Sequence, residues 1–408
     1  MPLPRTLGGE RVRLRKSGSM ALALMLIVLW PQAALAVPPS GAWPAVPEMP
    51  LAIPADVASP PRVTADAAVL IDYTTGRILW SKDANAPRAP ASTTKMMTAL
   101  VALELGHPDA LVTVSRSAAA TPGSSAGLRA GEQYSLLQLL QGLLLRSGND
   151  AAVAIAQYIA GSVPAFAALM NARAKAMGLT ETNFVNPHGL TEPFHFSSAY
   201  DLALIARAAL AIPAFAAIVD SPTLEMEGRD SHLGIIRREL HNTNRLLFSY
   251  EWVDGVKTGT TDAAGNCLVA SGTRGGMKLI AVVLHSDDRW GDSLRLLQWG
   301  FSHFTYLHPV SAGQVVTTVA VPNAGGARLP LLAAVGVGVP IALDELPRLR
   351  EALRLHVVFA PVREGEVLGE YRVALGPQTL LTVPLVASAT VSPLPWWSQA
   401  WRWVRERI

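Results

Sequence analysis

The sequence predicts an α/β (α+β) domain followed by a small all-β domain. Apolar runs of strand length occur at residues 67–72 and 279–284, and segments with the apolar spacing of helices, such as 91–105, lie between them. Between residues 311 and 388, short valine-rich runs alternate with glycine and proline, which indicates a separate all-β unit. A chain of 408 residues has room for one large and one smaller domain.

Composition excludes several function classes. The chain has 34 Lys and Arg against 31 Asp and Glu, and it has no block of basic residues, so we expect no nucleic-acid partner. The single cysteine, Cys267, rules out an internal disulfide, and because no His or Lys adjoins it in sequence we interpret it as a core residue. The histidines form no close ligand pair, so we expect neither a metal nor a cofactor.

The N-terminus has the pattern of an export signal, which we assign to residues 1–36. A basic leader precedes an apolar run at residues 20–30 that is too short to span a bilayer comfortably. The triplet Ala34-Leu35-Ala36 has the small-x-small pattern of a cleavage site. An uncleaved N-terminal anchor is the alternative. Residues 37–62 are rich in proline and predict an extended linker, so we expect the mature protein to act outside the cytoplasm.

The first elements after the linker are a hairpin and a helix. Residues 67–72 and 77–80 are predicted to pair around a Thr-Thr-Gly turn. Pro90 favours the start of a helix over residues 91–105. Ser92 would lie in the first turn, where unpaired backbone N–H groups and the helix dipole favour developing negative charge.

Two apolar helices are predicted next. The capping-box pattern Ser135-Leu136-Leu137-Gln138 begins a helix over residues 135–146, and a second helix follows over residues 151–160. The polar triplet Ser147-Gly148-Asn149 would therefore lie in the loop between two helices, where its side chains can face a cleft.

A sheet and one more helix complete a predicted domain over residues 63–308. Strands are predicted at residues 266–271 and 279–284, and residues 256–258 would lie on the preceding strand, at the edge of the sheet. Such an edge could pair with a peptide through backbone hydrogen bonds. A helix over residues 292–301 is expected to close the domain.

The C-terminal part is divided into a β-rich domain, residues 311–390, and an amphipathic helix, residues 394–408. The β-rich domain has no obvious catalytic cluster, so we interpret it as a spacer or docking module. On a helical wheel, one arc of the last segment is apolar, and it contains Trp396, Trp397, Trp401, Trp403, Val404 and Ile408. Tryptophans and arginines favour a membrane surface, whereas packing on the protein's own body is the alternative.

Three short motifs occur in one order, namely Ser92-Thr93-Thr94-Lys95, Ser147-Gly148-Asn149 and Lys257-Thr258-Gly259. A serine and a lysine three residues apart lie on one face of a helix, and a lysine with a lowered pKa can accept the serine proton. The second motif adds a hydroxyl and an amide, and the third adds a cation beside a hydroxyl, suited to a substrate carboxylate. Together they indicate an acyl-transfer site built on a serine.

With these motifs the chain resembles the low-molecular-mass penicillin-binding proteins that are D-alanyl-D-alanine carboxypeptidases (peptidase S11 family). The resemblance runs from about residue 65 to residue 388 and is carried by residues 91–97, 147–151, 186–190, 197–201, 242–244 and 253–259. It implies a serine β-lactamase/transpeptidase-like domain followed by the β-rich domain. It also implies a pentapeptide stem ending in D-Ala-D-Ala as substrate, β-lactams as covalent inhibitors, and a location at the outer face of the cytoplasmic membrane.

The resemblance also implies a role for each motif residue. Ser92 would be the acyl-enzyme nucleophile, Lys95 its proton acceptor, and Ser147 the proton relay to the leaving D-alanine. Asn149 would help to hold the peptide. The terminal carboxylate would be bound by Lys257 and Thr258, and the backbone N–H groups of Ser92 and Thr260 would form the oxyanion hole.

Some residues depart from this pattern or are interpreted as structural. The loop at residues 124–127 is smaller than the bulky apolar loop of relatives, so we expect the fit of the peptide to differ there. We interpret His188 and His195 as structural residues, and Asp201 and Asp262 as turn or cap residues.

Three alternatives remain open from the sequence. A serine β-lactamase has the same fold but needs a carboxylate base for deacylation, and no good E-x-x-L-N match follows the second motif. A DD-endopeptidase or transpeptidase would form the same acyl-enzyme. From a different class, a non-catalytic wall-peptide-binding protein would use the cleft as a receptor, but a receptor needs no nucleophile.

Overall fold

The computed structural model describes residues 60–395 and Trp397, and its helices and strands are numbered here in chain order. The predicted signal, most of the predicted linker and nearly all of the predicted C-terminal helix lie outside these residues.

A five-stranded antiparallel sheet forms the centre of the N-terminal part. Its order is β2-β1-β9-β8-β7, with bounds β1 Ala67–Asp72, β2 Ile78–Lys82, β7 Val253–Thr261, β8 Gly265–Arg274 and β9 Met277–Ser286. The predicted hairpin is confirmed, because β1 pairs with β2. All six residues of β1 are buried, and alternate residues join apolar clusters on opposite faces. Because successive side chains of a strand point to opposite faces, this burial shows that the sheet is covered on both sides.

Helices cover the two faces unequally. The larger cluster packs one face against most of the helices, whereas Leu296 and Leu297 of α8 pack on the other. The helices are α1 Lys95–Leu105, α2 Arg116–Ala119, α3 Leu136–Leu145, α4 Asn149–Ala160, α5 Val163–Ala176, α6 Ala199–Leu210, α7 Pro213–Asp220 and α8 Arg289–His303. A second sheet of order β3-β4-β5-β6 comprises Leu111–Thr113, Gln133–Ser135, Thr223–Arg229 and Ile235–His241.

The element boundaries differ from the predicted ones at two functional positions. The helix predicted over residues 91–105 begins as a 3₁₀ turn, Ala91–Thr94, because Ala91 has a positive φ of 48° and the chain therefore turns tightly before α1. Asn149 is the first residue of α4 rather than a loop residue, and Gly148 is its N-cap. The capping box of Ser135 and Gln138 is confirmed at the start of α3.

The C-terminal part is all-β. A second five-stranded sheet has the order β11-β12-β16-β15-β14, with bounds β11 Val315–Val321, β12 Ala327–Ala333, β14 Leu349–Leu355, β15 Val367–Leu375 and β16 Gln378–Ala387. It has its own apolar cluster, which includes Val321, Leu331, Val373 and Val383.

The two parts are joined through β10 (Phe304–Leu307), which follows α8 directly and pairs with β13 (Val339–Ala342). Arg77 of the loop before β2 forms an ion pair with Glu345 and donates from Nη1 to the carbonyl of Pro340 at 2.9 Å. Both side chains of this ion pair are largely buried. The connection between the parts is therefore a strand pair and a buried ion pair, in addition to the chain itself.

Within residues 60–395 we found no single helix with the length and apolar character of a membrane span. Two bent helix pairs, α4 with α5 and α6 with α7, reach that length and character only when each pair is taken together.

Candidate active site

The first and third motifs meet at the edge of the central sheet. Ser92 lies in the 3₁₀ turn before α1, and Lys257 lies on β7, an edge strand of that sheet, as the sequence predicts. At Gly259 the strand approaches the turn so closely that a Cβ there would lie 3.1 Å from the backbone N of Ser92. An added side chain would press on this turn, so glycine suits the close contact that brings the serine beside the third motif.

Lys95 is the first residue of α1 and is fully buried. Its Nζ lies 2.9 Å from Ser92 Oγ, 2.7 Å from Asn149 Oδ1 and 2.7 Å from the carbonyl oxygen of His188. A neutral amine has two N–H donors and one lone pair. The amide and carbonyl oxygens can only accept, so they take both donors, and the lone pair is left for the Ser92 hydroxyl proton.

Two effects lower the pKa of Lys95 well below the usual value of 10.5. Burial is the larger cause, because a charged ammonium loses its hydration, and the nearby positive charge of Lys257 acts in the same direction. The carboxylate of Asp150 opposes both. The direction agrees with the sequence-based hypothesis that Lys95 acts as a neutral base.

Ser147 has the features of a side chain kept for a ligand. Its φ is 58°, in the left-handed region that non-glycine residues rarely occupy. Its Oγ is buried and has no hydrogen-bond partner among the described residues. A strained backbone and a buried polar atom without a partner both cost free energy and occur preferentially at functional sites. Ser147 lies two residues before Asn149 in the chain, and no hydrogen bond joins its hydroxyl to Ser92 or Lys95.

Asn149 is held in one orientation. Its Oδ1 accepts from Lys95, its Nδ2 donates to the carbonyl of Pro122 at 2.6 Å, and its backbone N–H donates to the carbonyl of Ser124 at 2.7 Å. One amide N–H remains for a ligand. Asn149 therefore positions both Lys95 and the loop at residues 122–124. The sequence predicted only that it holds the peptide, so this positioning role is additional.

Asp150 fixes the small loop at residues 124–128. It is buried, and its carboxylate accepts from Ser125 Oγ at 2.6 Å and from the backbone N–H groups of Ala126 and Leu128 at 2.9 and 3.0 Å. Oδ1 also accepts from the N–H of Ala151. Both carboxylate oxygens are thus occupied, and three of the four hydrogen bonds hold the loop.

Lys257 and Arg289 place two cations at the third motif. Lys257 is buried, and burial, followed by the charge of Arg289, lowers its pKa to about 7. Arg289 Nη1 donates to Thr260 Oγ1 at 2.7 Å and to the carbonyl of Gly259 at 2.9 Å. The Thr258 hydroxyl lies 2.7 Å from that of Thr243. This cluster can bind an anion, because it combines positive charge with hydroxyl donors.

The residues interpreted as structural have structural contacts. His195 Nδ1 accepts from the N–H of Val185 at 3.0 Å, so its Nε2–H donates to Thr94 Oγ1 at 2.9 Å. Burial lowers the pKa of His195 to about 4 and contributes most to lowering that of His188 to about 3, so both rings are neutral. His188 reaches the site through its carbonyl oxygen.

Asp201, Asp262 and Cys267 also occupy positions that agree with a structural interpretation. Asp201 lies in the first turn of α6 and accepts from Thr182 Oγ1 and the N–H of Glu181. Asp262 lies in the turn between β7 and β8. Cys267 is fully buried, and burial raises its pKa to about 11. Among residues 60–395, no group of three His, Cys, Asp or Glu side chains is arranged to hold a metal ion.

Sequence reasoning missed three contributors to the site: the carbonyl of His188, the carboxylate of Asp150 and the guanidinium of Arg289. The first is a backbone atom, which no motif of side chains reveals. Asp150 directly follows the second motif, and its acidic side chain in a first helical turn was an available signal. Arg289 lies far from the third motif in sequence and had no local signal.

Comparisons with known proteins agree with this geometry. The family model for D-alanyl-D-alanine carboxypeptidase matches residues 55–288. The chain is 35% identical over 361 residues to D-alanyl-D-alanine carboxypeptidase DacC of Escherichia coli, covering 84% of this chain and 88% of the relative. It is 34% identical over 335 residues to DacF of Bacillus subtilis, covering 79% and 85%.

Solved structures show the same fold. Penicillin binding protein 5 from Haemophilus influenzae superposes with a TM-score of 0.66 at 33% identity, covering 82% of this chain and 99% of that one. The Streptomyces K15 DD-transpeptidase gives a TM-score of 0.58 at 33% identity, covering 60% of this chain and 99% of its own. The predicted β-lactamase/transpeptidase-like fold with a C-terminal all-β domain is thereby confirmed. On the family match and the extent of both similarities, the chain belongs to the D-alanyl-D-alanine carboxypeptidase family of serine hydrolases (peptidase S11).

Proposed function

We propose that this protein is a serine-type D-Ala-D-Ala carboxypeptidase that removes the terminal D-alanine from peptidoglycan pentapeptide stems through an acyl-enzyme. The observation that carries the proposal is the contact between Lys95 Nζ and Ser92 Oγ at 2.9 Å, with the other two contacts of the amine made to oxygens that only accept. The family membership supports the substrate class.

In the acylation step, Ser92 Oγ attacks the carbonyl carbon of the penultimate D-alanine while Lys95 takes the hydroxyl proton. The backbone N–H groups of Ser92 and Thr260 stabilise the oxyanion. As the tetrahedral intermediate collapses, the peptide C–N bond breaks. Lys95 gives up the proton that it took from Ser92, and the Ser147 hydroxyl relays it to the leaving amine. Water then hydrolyses the ester, which releases the shortened peptide and restores the Ser92 hydroxyl.

Substrate binding uses the third motif and the edge strand. Lys257 and Thr258 hold the terminal carboxylate, and the nearby Arg289 adds a second positive charge. Asn149 uses its remaining amide N–H for the peptide backbone. A β-lactam has both a strained amide and a carboxylate, so it acylates the same serine.

The carboxylate of Asp150 separates this proposal from a β-lactamase. Rapid deacylation needs a carboxylate free to activate water. Asp150 interacts electrostatically with Lys95, but backbone N–H groups and the Ser125 hydroxyl occupy both of its oxygens. We therefore expect a long-lived penicillin adduct. DD-endopeptidase activity uses the same acyl-enzyme, whereas a non-catalytic receptor would not need a desolvated lysine beside a serine.

The proposed organisation assigns residues 1–36 to the signal, 37–62 to the linker, 63–308 to the catalytic domain and 311–390 to the β-rich domain. Residues 394–408 form an amphipathic helix that holds the enzyme on the outer face of the cytoplasmic membrane. The location in the periplasm or cell-wall space agrees with the substrate of the family.

Incubation of the signal-processed chain with a pentapeptide ending in D-Ala-D-Ala tests the activity. The expected products are the tetrapeptide and free D-alanine. Mass spectrometry of the penicillin-treated protein should place the adduct on the peptide that contains Ser92, and Ser92→Ala should abolish both reactions. An adduct that persists in Ser92→Ala would refute the assignment of the nucleophile.

A further inference from the structure

The loop between β14 and β15 has an unusual pattern of exposure. Its inward residues, Val358, Ala360 and Val362, are 5%, 7% and 1% exposed and belong to the apolar cluster of the all-β part. The residues that alternate with them are also apolar: Val357 is 84% exposed, Phe359 is 60% exposed, and Pro361 is exposed too. Outward positions of such a segment are ordinarily polar. We call Val357, Phe359 and Pro361 the distal patch.

The distal patch is held rigidly beside the point where the chain leaves the described residues. Asn323 accepts from the N–H of Ala360 at 2.7 Å, donates from Nδ2 to the carbonyl of the same residue at 2.6 Å, and accepts from the N–H of Leu394 through its own carbonyl. Val362 and Val391 exchange two backbone hydrogen bonds of 2.9 Å. Hydrogen bonds therefore connect the patch to the segment that precedes Trp396.

This end of the all-β part lies away from the catalytic part. The contacts with the catalytic part are made by β13 and by Glu345, which come just before the start of β14 at Leu349. The patch follows the other end of β14 at Leu355. Strand β14 rises about 3.3 Å per residue, so its seven residues separate the two ends by roughly 20 Å.

We infer that the distal patch is a second membrane contact, which inserts into the headgroup layer of the lipid surface bound by residues 394–408. The inference rests on the proposed surface anchoring. The chain runs from Leu394, which is bonded to Asn323 beside the patch, into thirteen residues after Pro395 that include four tryptophans, and of these Trp397 is 57% exposed. Tryptophan favours the same interfacial layer that an exposed phenylalanine and valine would enter.

The distal patch and the tail, residues 394–408, differ in net charge. The basic residues around the patch, Arg354 and Arg363, are matched by Glu364 and Glu366, so the patch has no excess positive charge. The tail has an excess, because its sequence contains three arginines, Arg402, Arg405 and Arg407, and one acidic residue, Glu406. Salt should therefore weaken the contribution of the tail and leave that of the patch nearly unchanged.

A fluorescent probe at the patch tests the inference directly. The signal-processed chain with Phe359→Cys is labelled with an environment-sensitive dye; the native Cys267 is buried, so it stays unlabelled. The matched control is Leu343→Cys, because Leu343 is 71% exposed and lies at the end near the catalytic part. Phosphatidylethanolamine vesicles that contain phosphatidylglycerol should shift the emission to the blue at position 359 only. Equal responses at the two positions would overturn the inference.

A second measurement uses the chain without a label. Val357→Ser combined with Phe359→Ser should weaken vesicle binding in high salt about tenfold, since apolar burial is lost. Leu343→Ser combined with Leu346→Ser is the control and should change nothing. Hydrolysis of a small soluble peptide should be equal in all variants. This measurement therefore tests the proposed activity independently of vesicle binding.

Three outcomes would contradict the second contact. If the patch variant binds vesicles as well as the wild type, only the tail anchors the protein. If the wild type does not bind vesicles at all, the anchoring and the second contact are both wrong. If instead the patch variant exposes the tail to protease or changes the oligomeric state without lipid, the patch is covered by the tail or by a second copy of the chain.

Discussion

At Lys95, burial and hydrogen bonding both prepare the amine to accept the proton of the Ser92 hydroxyl. Both N–H donors of the neutral amine are taken by oxygens that only accept, and the pKa is lowered by burial and by Lys257. Lys95→Arg keeps the charge but cannot give up a proton at working pH. We expect acylation by penicillin to slow by about 10²–10⁴-fold, the usual contribution of a general base. Stopped-flow or gel-based acylation rates would measure it, and a near-normal rate would mean that the base lies elsewhere.

The two lysines predict a pH profile with two limbs. On the acid side the second-order acylation rate constant should rise as Lys95 loses its proton and becomes a base. On the alkaline side it should fall above about pH 7, because Lys257 loses the charge that holds the carboxylate. Lys257→Arg keeps that charge at alkaline pH, so this variant should lose the alkaline limb and keep the acid limb. An unchanged alkaline limb in Lys257→Arg would assign it to another group.

The sequence identified the side chains of this site better than their partners. The serines and lysines lie in short motifs, so their spacing in the sequence is enough to identify them as candidate site residues. Their neighbours are set by packing: Arg289 reaches Thr260 only because α8 begins beside β7, and His188 contributes a backbone oxygen. Neither tertiary approach leaves a local pattern in the sequence.

At the scale of elements, the fold was predictable where periodicity was strong. The apolar run of β1 and the capping box of α3 predicted their elements nearly residue by residue. The 3₁₀ turn at Ser92 was not predictable, because helical spacing does not distinguish a tight first turn from a regular one. That turn depends on the positive φ of Ala91 and on the segment packed against it.

Gly189 tests how the segment before α6 supports the Ser92 turn. Its φ is 88°, and a Cβ there would lie 1.8 Å from the carbonyl oxygen of Ala91. Gly189→Ala should therefore both destabilise the fold and displace the adjoining carbonyl of His188 from Lys95. Gly178 is the matched control, because its φ is 75° and no atom lies within 4 Å of its added Cβ.

We expect Gly178→Ala to lower the free energy of unfolding by about 1–2 kcal/mol, the cost of the left-handed conformation alone, with acylation unchanged. Gly189→Ala should lower it further and slow acylation of the folded fraction. Urea unfolding and fluorescent-penicillin labelling would measure the two effects. Equal losses of stability and equal acylation in the two variants would show that the close contact with Ala91 is unimportant.

At the scale of the whole molecule, the order of parts along the chain matches a protein that works at a distance from a surface. The catalytic site lies in the N-terminal part, and the all-β part joins it through β13 and the Arg77–Glu345 ion pair. The chain leaves the all-β part at the opposite end of β14, beside the distal patch. Under the proposed anchoring, the all-β part is a spacer that lifts the active site toward the wall.

Deletion of residues 396–408 tests that arrangement. Leu394 donates its backbone N–H to the carbonyl of Asn323, so a chain ending at residue 395 keeps the contacts that close the all-β part. The truncated, signal-processed protein should leave the membrane fraction at high salt yet hydrolyse small soluble peptides at the wild-type rate, because the active site is remote. Turnover of intact wall in cells should fall, since the enzyme is no longer held near its substrate. If the truncated protein still sediments with membranes at high salt, even with the distal patch changed to serine, the anchor lies elsewhere, and an uncleaved N-terminus becomes the explanation to test.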